Sequence, residues 1–239
     1  MDRELEAEML AEGDETDSNA GEARPLMLRE EAFIALERMI VTGQLAPGEW
    51  VSETRLIEVS GHSRASVRSA VQRLQDQQLI KTYPRRGAQI CPIDYTTQFR
   101  AQELRRAVEG LLARCAAERA NQRQRRRFEE IAEAFPAAAR QHNQAAMTEL
   151  DLETFSLILK AADNPFASKA MVSVKGLSRR FWILNHEEHG DLAQMAAGHA
   201  AVASAIAEGN PVAAEEAVGR MVDYVEKFTL KVVGYNAGR

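Results

Sequence analysis

The chain has 239 residues, 45% of them apolar, and a formal charge of -5, a composition and length that suit a globular protein of two domains. No apolar run approaches the roughly 20 residues that cross a bilayer, and the acidic N-terminus lacks the basic and apolar stretches of a signal sequence. A cytoplasmic protein with no membrane attachment is expected, in which Cys91 and Cys115, outside any metal-ligand spacing, are reduced packing residues.

In chain order, the first 23 residues carry nine acids against Arg3 and offer little to bury, so residues 1–25 read as a disordered acidic tail. Residues 62–87 have the opposite balance, with Arg64, Arg68, Arg73, Lys81, Arg85 and Arg86 facing only Asp76. A short stretch with that charge is the candidate nucleic-acid contact, because affinity for phosphate comes from lysine and arginine. Ala32, Phe33, Leu36, Met39 and Ile40 recur at helical spacing, and Gly43 with Leu45-Ala46-Pro47-Gly48 ends that helix in a turn. Ser52 can cap a short helix with Leu56 and Val59 inward, and Ser60-Gly61-His62 breaks it before Ser63 caps another. The inward stripe of that third helix is Val67, Ala70, Val71 and Leu74, which leaves Arg64, Ser66, Arg68 and Ser69 outward. Leu79–Tyr83 and Ala88–Cys91 form two short strands around the basic tip Pro84-Arg85-Arg86-Gly87.

Helix, tight turn, helix and basic hairpin within residues 26–93 predict a winged helix-turn-helix. Ser63, Arg64, Ala65, Ser66 and Arg68 would lead into the major groove, where guanidinium forks reach guanine edges and small residues let the backbone approach. Arg85, Arg86 and Gly87 would reach the flanking backbone or the minor groove. Any one of these arginines alone reads better as part of a solvated face, and the ordered combination is what favours DNA.

From residue 96 to 235 the chain reads as about six helices, broken at Asn121, Asn164-Pro165, His186–Asp191 and Gly209-Asn210-Pro211. Leu104, Val108, Leu111, Leu112 and Cys115 stripe the first, Leu192, Met195, Ala196, Val202 and Ile206 the fifth, and Val218, Met221, Val222, Val225 and Phe228 the last. The expected architecture is therefore mainly α, a winged helix-turn-helix followed by an all-helical antiparallel bundle.

The run GQLAPGEWVSETRLIEVSGHSRASVRSAVQRLQDQQLI followed by PRRGAQI resembles the DNA-binding half of the GntR family, with Gln78 where that family usually has glycine. Further on, ELRRAVEGLLARCAAERA, LETFSLILKAADNP, GHAAVASAIAEGN and AAEEAVGRMVDYV resemble the FadR-type ligand-binding domain, here in its shorter, VanR-like form of six helices. The resemblance implies a homodimer on double-stranded operator DNA with an inverted repeat. It also implies a small carboxylate effector held in the helical domain, often through a metal bound by one aspartate and three histidines.

On that alignment the family's DxxFH segment reads LETFS, so Leu152 and Ser156 replace the aspartate and the first histidine, Met221 replaces the last, and His199 survives. Asp151 lies one position off, about 100 degrees around the helix. No metal and no cofactor are expected, since such sites need three or four donors. Arg105, Ser156 and His199 are the candidate effector contacts, with Arg105 matching the family's inward arginine. The bland readings are an Arg105–Glu109 pair within one helix and a core His199. Arg179, Trp182 and Asn185 are weaker candidates, and His186-Glu187-Glu188-His189 reads as a solvated helix end rather than a metal motif.

A repressor whose effector shifts the spacing of two recognition helices is the leading expectation. Two alternatives stay open. One is a DNA-binding protein that has lost effector control. The other is an enzyme working through His199, His186 or His189, for which no nucleophile with an adjacent base is present.

Overall fold

The computed structural model describes residues 17–237. They divide into two compact units, one reaching to Ile40 and resuming at Gln44–Cys91, the other comprising Val41–Gly43 and the chain from Pro92 onward.

In the first unit the order is α1 (Asp17–Val41), β1 (Trp50–Val51), α2 (Glu53–Ser60), α3 (Arg64–Asp76), β2 (Ile80–Tyr83) and β3 (Gly87–Ile90). The helix α1 starts inside the stretch expected to be a tail, so residues 17–25 are helical; the rest of that expectation, residues 1–16, lies outside the described residues. Ala32, Phe33, Leu36 and Ile40 of α1 are buried, as are Leu56, Val67, Ala70 and Leu74 of the next two helices. Ser52 and Ser63 cap α2 and α3 by accepting the Arg55 and Ser66 amides, and Gly61 closes α2 in a left-handed conformation. The hairpin pairs Ile80 with Ile90 and Tyr83 with Gly87, and β1, unforeseen in the sequence, adds a third strand beside β3.

The second unit has six helices among the described residues: α4 (Tyr95–Arg119), α5 (Gln122–Arg140), α6 (Gln144–Ala162), α7 (Pro165–His189), α8 (Leu192–Ala207) and α9 (Pro211–Ala237). Asp94, Asn121, Asn143, Asn164, Asp191 and Asn210 each accept an amide at the start of the helix they precede. This is why the chain breaks so sharply at these residues. The helix α4 packs against α6, α7, α8 and α9, while α5 lies on α8. Phe128, Ile131 and Phe135 of α5, Phe181 of α7, Ile206 of α8 and Phe228 of α9 are almost wholly buried, each contributing roughly 1.5–3 kcal/mol by leaving water.

The buried face of α4 is not purely apolar. Leu104, Val108 and Leu111 are half-buried, whereas Gln102, Arg105 and Glu109 are buried among the core residues. A Gln102–Thr229 hydrogen bond of 2.6 Å ties α4 to α9.

Candidate DNA interface and effector cavity

In the first unit Arg64, Ala65 and Arg68 are exposed at the start of α3, the two arginines one helical turn apart. Both reach one carboxylate on α2. Arg64 Nε lies 3.3 Å from Glu53 Oε1, and Arg68 Nε donates to Oε2 at 2.7 Å. The Arg68 hydrogen bond lowers the Glu53 carboxyl below its ordinary range and raises the guanidinium in return. Glu53 thus holds both forks on one surface, although it lies outside the basic stretch 62–87 along the chain.

Two expectations in this stretch are corrected. Ser66 is buried, its hydroxyl accepting from Ser63 Oγ at 3.0 Å, because it occupies the turn that the cap closes; it is part of the cap and offers no outward contact. Arg73 belongs to the opposite side of α3, over the Phe33 ring at 3.7 Å and ion-paired with Glu30.

At the wing, Arg86 N donates to Tyr83 O at 3.2 Å, with Pro84 at the second and left-handed Arg85 (φ 63) at the third position, the pattern of a type II turn. Gly87 (φ 87) follows, and a Cβ there would lie 2.8 Å from Val51 O, so β1 closes that position to other residues. Arg85 and Arg86 are exposed. The Arg86 guanidinium lies 4.9 Å over Trp50, which leans on Tyr83 with ring centroids 5.0 Å apart. Trp50, an exposed aromatic beside a PG turn, was the unread signal here.

In the second unit a cavity of about 50 Å³ opens among α4, α6, α7, α8 and α9, about four times the room one water requires. Its lining includes the polar Arg105, Asp151, Lys175, Arg179 and His199 and the apolar Met147, Trp182, Met195 and Met221. Asp151 accepts from Arg179 Nε at 2.7 Å and lies 3.1 Å from Lys175 Nζ and 4.0 Å from His199 Nε2. Behind it Glu109 takes Arg105 at 2.8 Å and Lys175 at 3.4 Å. Burial by itself would raise the Asp151 carboxyl, but the Lys175 and Arg179 charges hold it well below the usual range. Glu109 is likewise held low against burial by Arg105 and Lys175. Burial pushes the His199 imidazole down to about 4, the nearby Asp151 charge only partly opposing it. The imidazole stacks on Phe135 at 4.6 Å.

Arg105 and His199 therefore line the cavity, and the intrahelical Arg105–Glu109 pair exists as well. Ser156 does not: it is exposed, on the other side of α6. The acid judged one position out of register, Asp151, is the inward one, and Phe155, a helical turn later, lies under Lys175 at 5.2 Å. Aligning on the phenylalanine shifted the reading by one residue, which on a helix exchanges an inward for an outward position. Arg179 and Trp182 line the cavity, while Asn185 donates to Phe181 O. His186 is tied to Ile183 O at the end of α7, and His189 lies 3.7 Å from Glu188. Among the described residues no group of three or more histidines, cysteines or acids is placed to hold a metal, and no helix is long and apolar enough to cross a membrane.

Residues 28–90 match the family profile described as bacterial regulatory proteins, gntR family, and residues 101–224 match the FCD domain. The galactonate operon transcriptional repressor of Escherichia coli (strain K12) is 26% identical over 217 residues, covering 81% of this chain and 93% of that protein. An uncharacterised HTH-type transcriptional regulator from Streptomyces ambofaciens is 35% identical over 81 residues, a match covering 34% of each chain. Among solved structures, E. coli McbR/YncC is similar with a TM-score of 0.72 at 14% identity, covering 86% of this chain and 98% of that one. A regulator from Rhodococcus sp. RHA1 follows with a TM-score of 0.60 at 19% identity, covering 86% and 97%.

Proposed function

Because the chain belongs to the GntR family of bacterial regulatory proteins, with an FCD domain as its second unit, we propose that it is a cytoplasmic homodimeric repressor of an inverted-repeat operator, released or engaged by a small carboxylate bound without a metal. It is a transcriptional regulator and not an enzyme.

The observation that carries the DNA reading is the pair of exposed guanidinium groups, Arg64 and Arg68, at the capped start of α3 and held in register by Glu53. A recognition helix leads with such residues, and each good arginine–guanine fork discriminates by about 1–3 kcal/mol. The wing arginines Arg85 and Arg86 add phosphate or minor-groove contact. On a duplex selected from a random library by the parent protein, R64A and R68A should each bind roughly tenfold weaker or worse in a gel-shift titration. Parent-like binding by both variants sinks the recognition-helix assignment.

Effector control rests on the cavity, where cations and hydrogen-bonding groups adjoin an apolar wall, the usual make-up of a small-ligand site. The donor set does not fit a divalent ion. Asp151 and His199 are two donors where such sites need three or four, Phe155 and Met221 are poor substitutes, and the Lys175 ammonium sits on the same Asp151 oxygen. Thermal shift with carboxylic acids in chelator-treated buffer tests this. A ligand at one hundred times its Kd stabilises by about 2.7 kcal/mol, and the absence of any shift favours a regulator without effector control. Galactonate, the acid whose operon the E. coli relative represses, is the first to try.

A further inference from the structure

Lys175 is a buried cation in the lining of the cavity that bridges two helices. Its side chain is 7% exposed and its ammonium touches two carboxylates from different helices, Asp151 Oδ1 of α6 at 3.1 Å and Glu109 Oε1 of α4 at 3.4 Å. The Phe155 ring lies beside it, its centroid 5.2 Å from the nitrogen. An ammonium has three donors, so two partners leave one for an occupant of the cavity that Lys175 lines. A buried cation gathering an aspartate and a glutamate does what a bound metal ion does in drawing acids together, and with Arg105 and Arg179 it outweighs the two carboxylates.

The surrounding charges and hydrogen-bonding groups define what could bind. Arg105, Lys175 and Arg179 stand against Asp151 and Glu109, an excess of one positive charge with His199 neutral. Two further groups lining the cavity, Ser178 Oγ and Gln144 Oε1, are buried with no hydrogen-bond partner. Leaving such groups unsatisfied costs about 1–3 kcal/mol each unless water or a ligand completes them. The apolar remainder of the wall, Met147, Trp182, Met195 and Met221, suits a short carbon skeleton.

Resting on the effector reading above, we infer that Lys175 is a built-in cation that takes the place of a metal in this cavity and anchors a monoanionic carboxylate bearing a hydroxyl group. The carboxylate takes the free ammonium donor together with guanidinium donors, and the second polar group satisfies Ser178 and Gln144. A dicarboxylate brings one negative charge too many into a buried site and is disfavoured, since a buried unpaired charge is costly.

The test uses the full-length protein and matched probes of three to six carbons: hydroxy monocarboxylates, plain monocarboxylates, dicarboxylates and neutral diols, read by thermal shift and titration calorimetry. Hydroxy monocarboxylates should bind tightest, diols should give no shift, and excess chelator should change nothing. K175M, which keeps the length of the side chain without its charge, should weaken the best probe by about thirtyfold or more, and K175R should recover most of the loss. If K175M does not fold, the ranking of charge classes and the chelator arm on the parent decide. Dicarboxylates binding tightest, a response abolished by chelator, or an unweakened K175M overturns the role of Lys175 while leaving effector control standing. No shift with any acid removes the effector reading, and this inference with it.

Discussion

Gln78 holds a left-handed backbone (φ 56) just past α3, where its amide reaches back to Gln75 O and the Leu79 amide reaches Leu74 O. This is a Schellman closure, whose left-handed position favours glycine. Q78G should therefore stabilise the protein by roughly 0.5–1 kcal/mol in urea unfolding while leaving DNA affinity unchanged. A destabilised Q78G would mean that the glutamine side chain outweighs its backbone strain. His142 (φ 50) closes α5 in the same way, Asn143 N reaching Ala138 O, and Gly209 closes α8. Of these last two ends only the glycine was read as a break, because a histidine carries no such signature. Arg85 is strained similarly, yet it sits at the wing tip, where its charge argues for retention.

Among the elements, the ends of α4 and α8 meet at one side chain. Arg125 of α5 donates to Ala117 O and Ala120 O of the first, and to Ile206 O and Ala207 O of the second, over 2.8–3.3 Å. A guanidinium at two helix C-termini satisfies carbonyls that the helices cannot bond themselves and complements both dipoles. R125A should cost roughly 2 kcal/mol or more of stability, measured by chemical denaturation with helical content intact. An effect below about 0.5 kcal/mol, typical of a surface substitution, would rule this clamp out. Element order was largely readable because six of these helices open on Asp or Asn and the first two short ones on Ser. Strand β1 was not, since two residues carry no periodicity and exist only by pairing Trp50 and Val51 with Gln89 and Ala88.

For the whole molecule, the buried charges set a pH dependence. His199 stays neutral in the fold down to about 4, against 6.5 for an ordinary histidine. Between those values the unfolded chain binds a proton that the folded one refuses, so stability falls as pH drops from about 6.5 towards 4, by up to roughly 1.4 kcal/mol per pH unit. Asp151 and Glu109 act in a different window. Their lowered carboxyls add stability that is present above the unfolded values and is lost only as pH falls below about 4. H199Q should flatten the slope between pH 6.5 and 4.5 in urea titrations; an unchanged slope would assign it to another group.

The sequence alone determined most of the helices, the capped helix at Arg64–Asp76, the basic hairpin and the family, because caps, turns and helical periodicity are local and the chain writes them out in consecutive residues. It also marked Arg105 and His199. What only the tertiary structure decided is the inward register of α6, which placed Asp151 in the cavity and Ser156 outside it, and the meeting of Lys175 with acids 24 and 66 positions away. Glu53, reaching across 11 and 15 positions to two arginines, belongs with these. In each case the deciding interaction joins residues whose separation along the chain says nothing about their distance in space, and a one-residue shift on a helix turns a side chain from core to solvent.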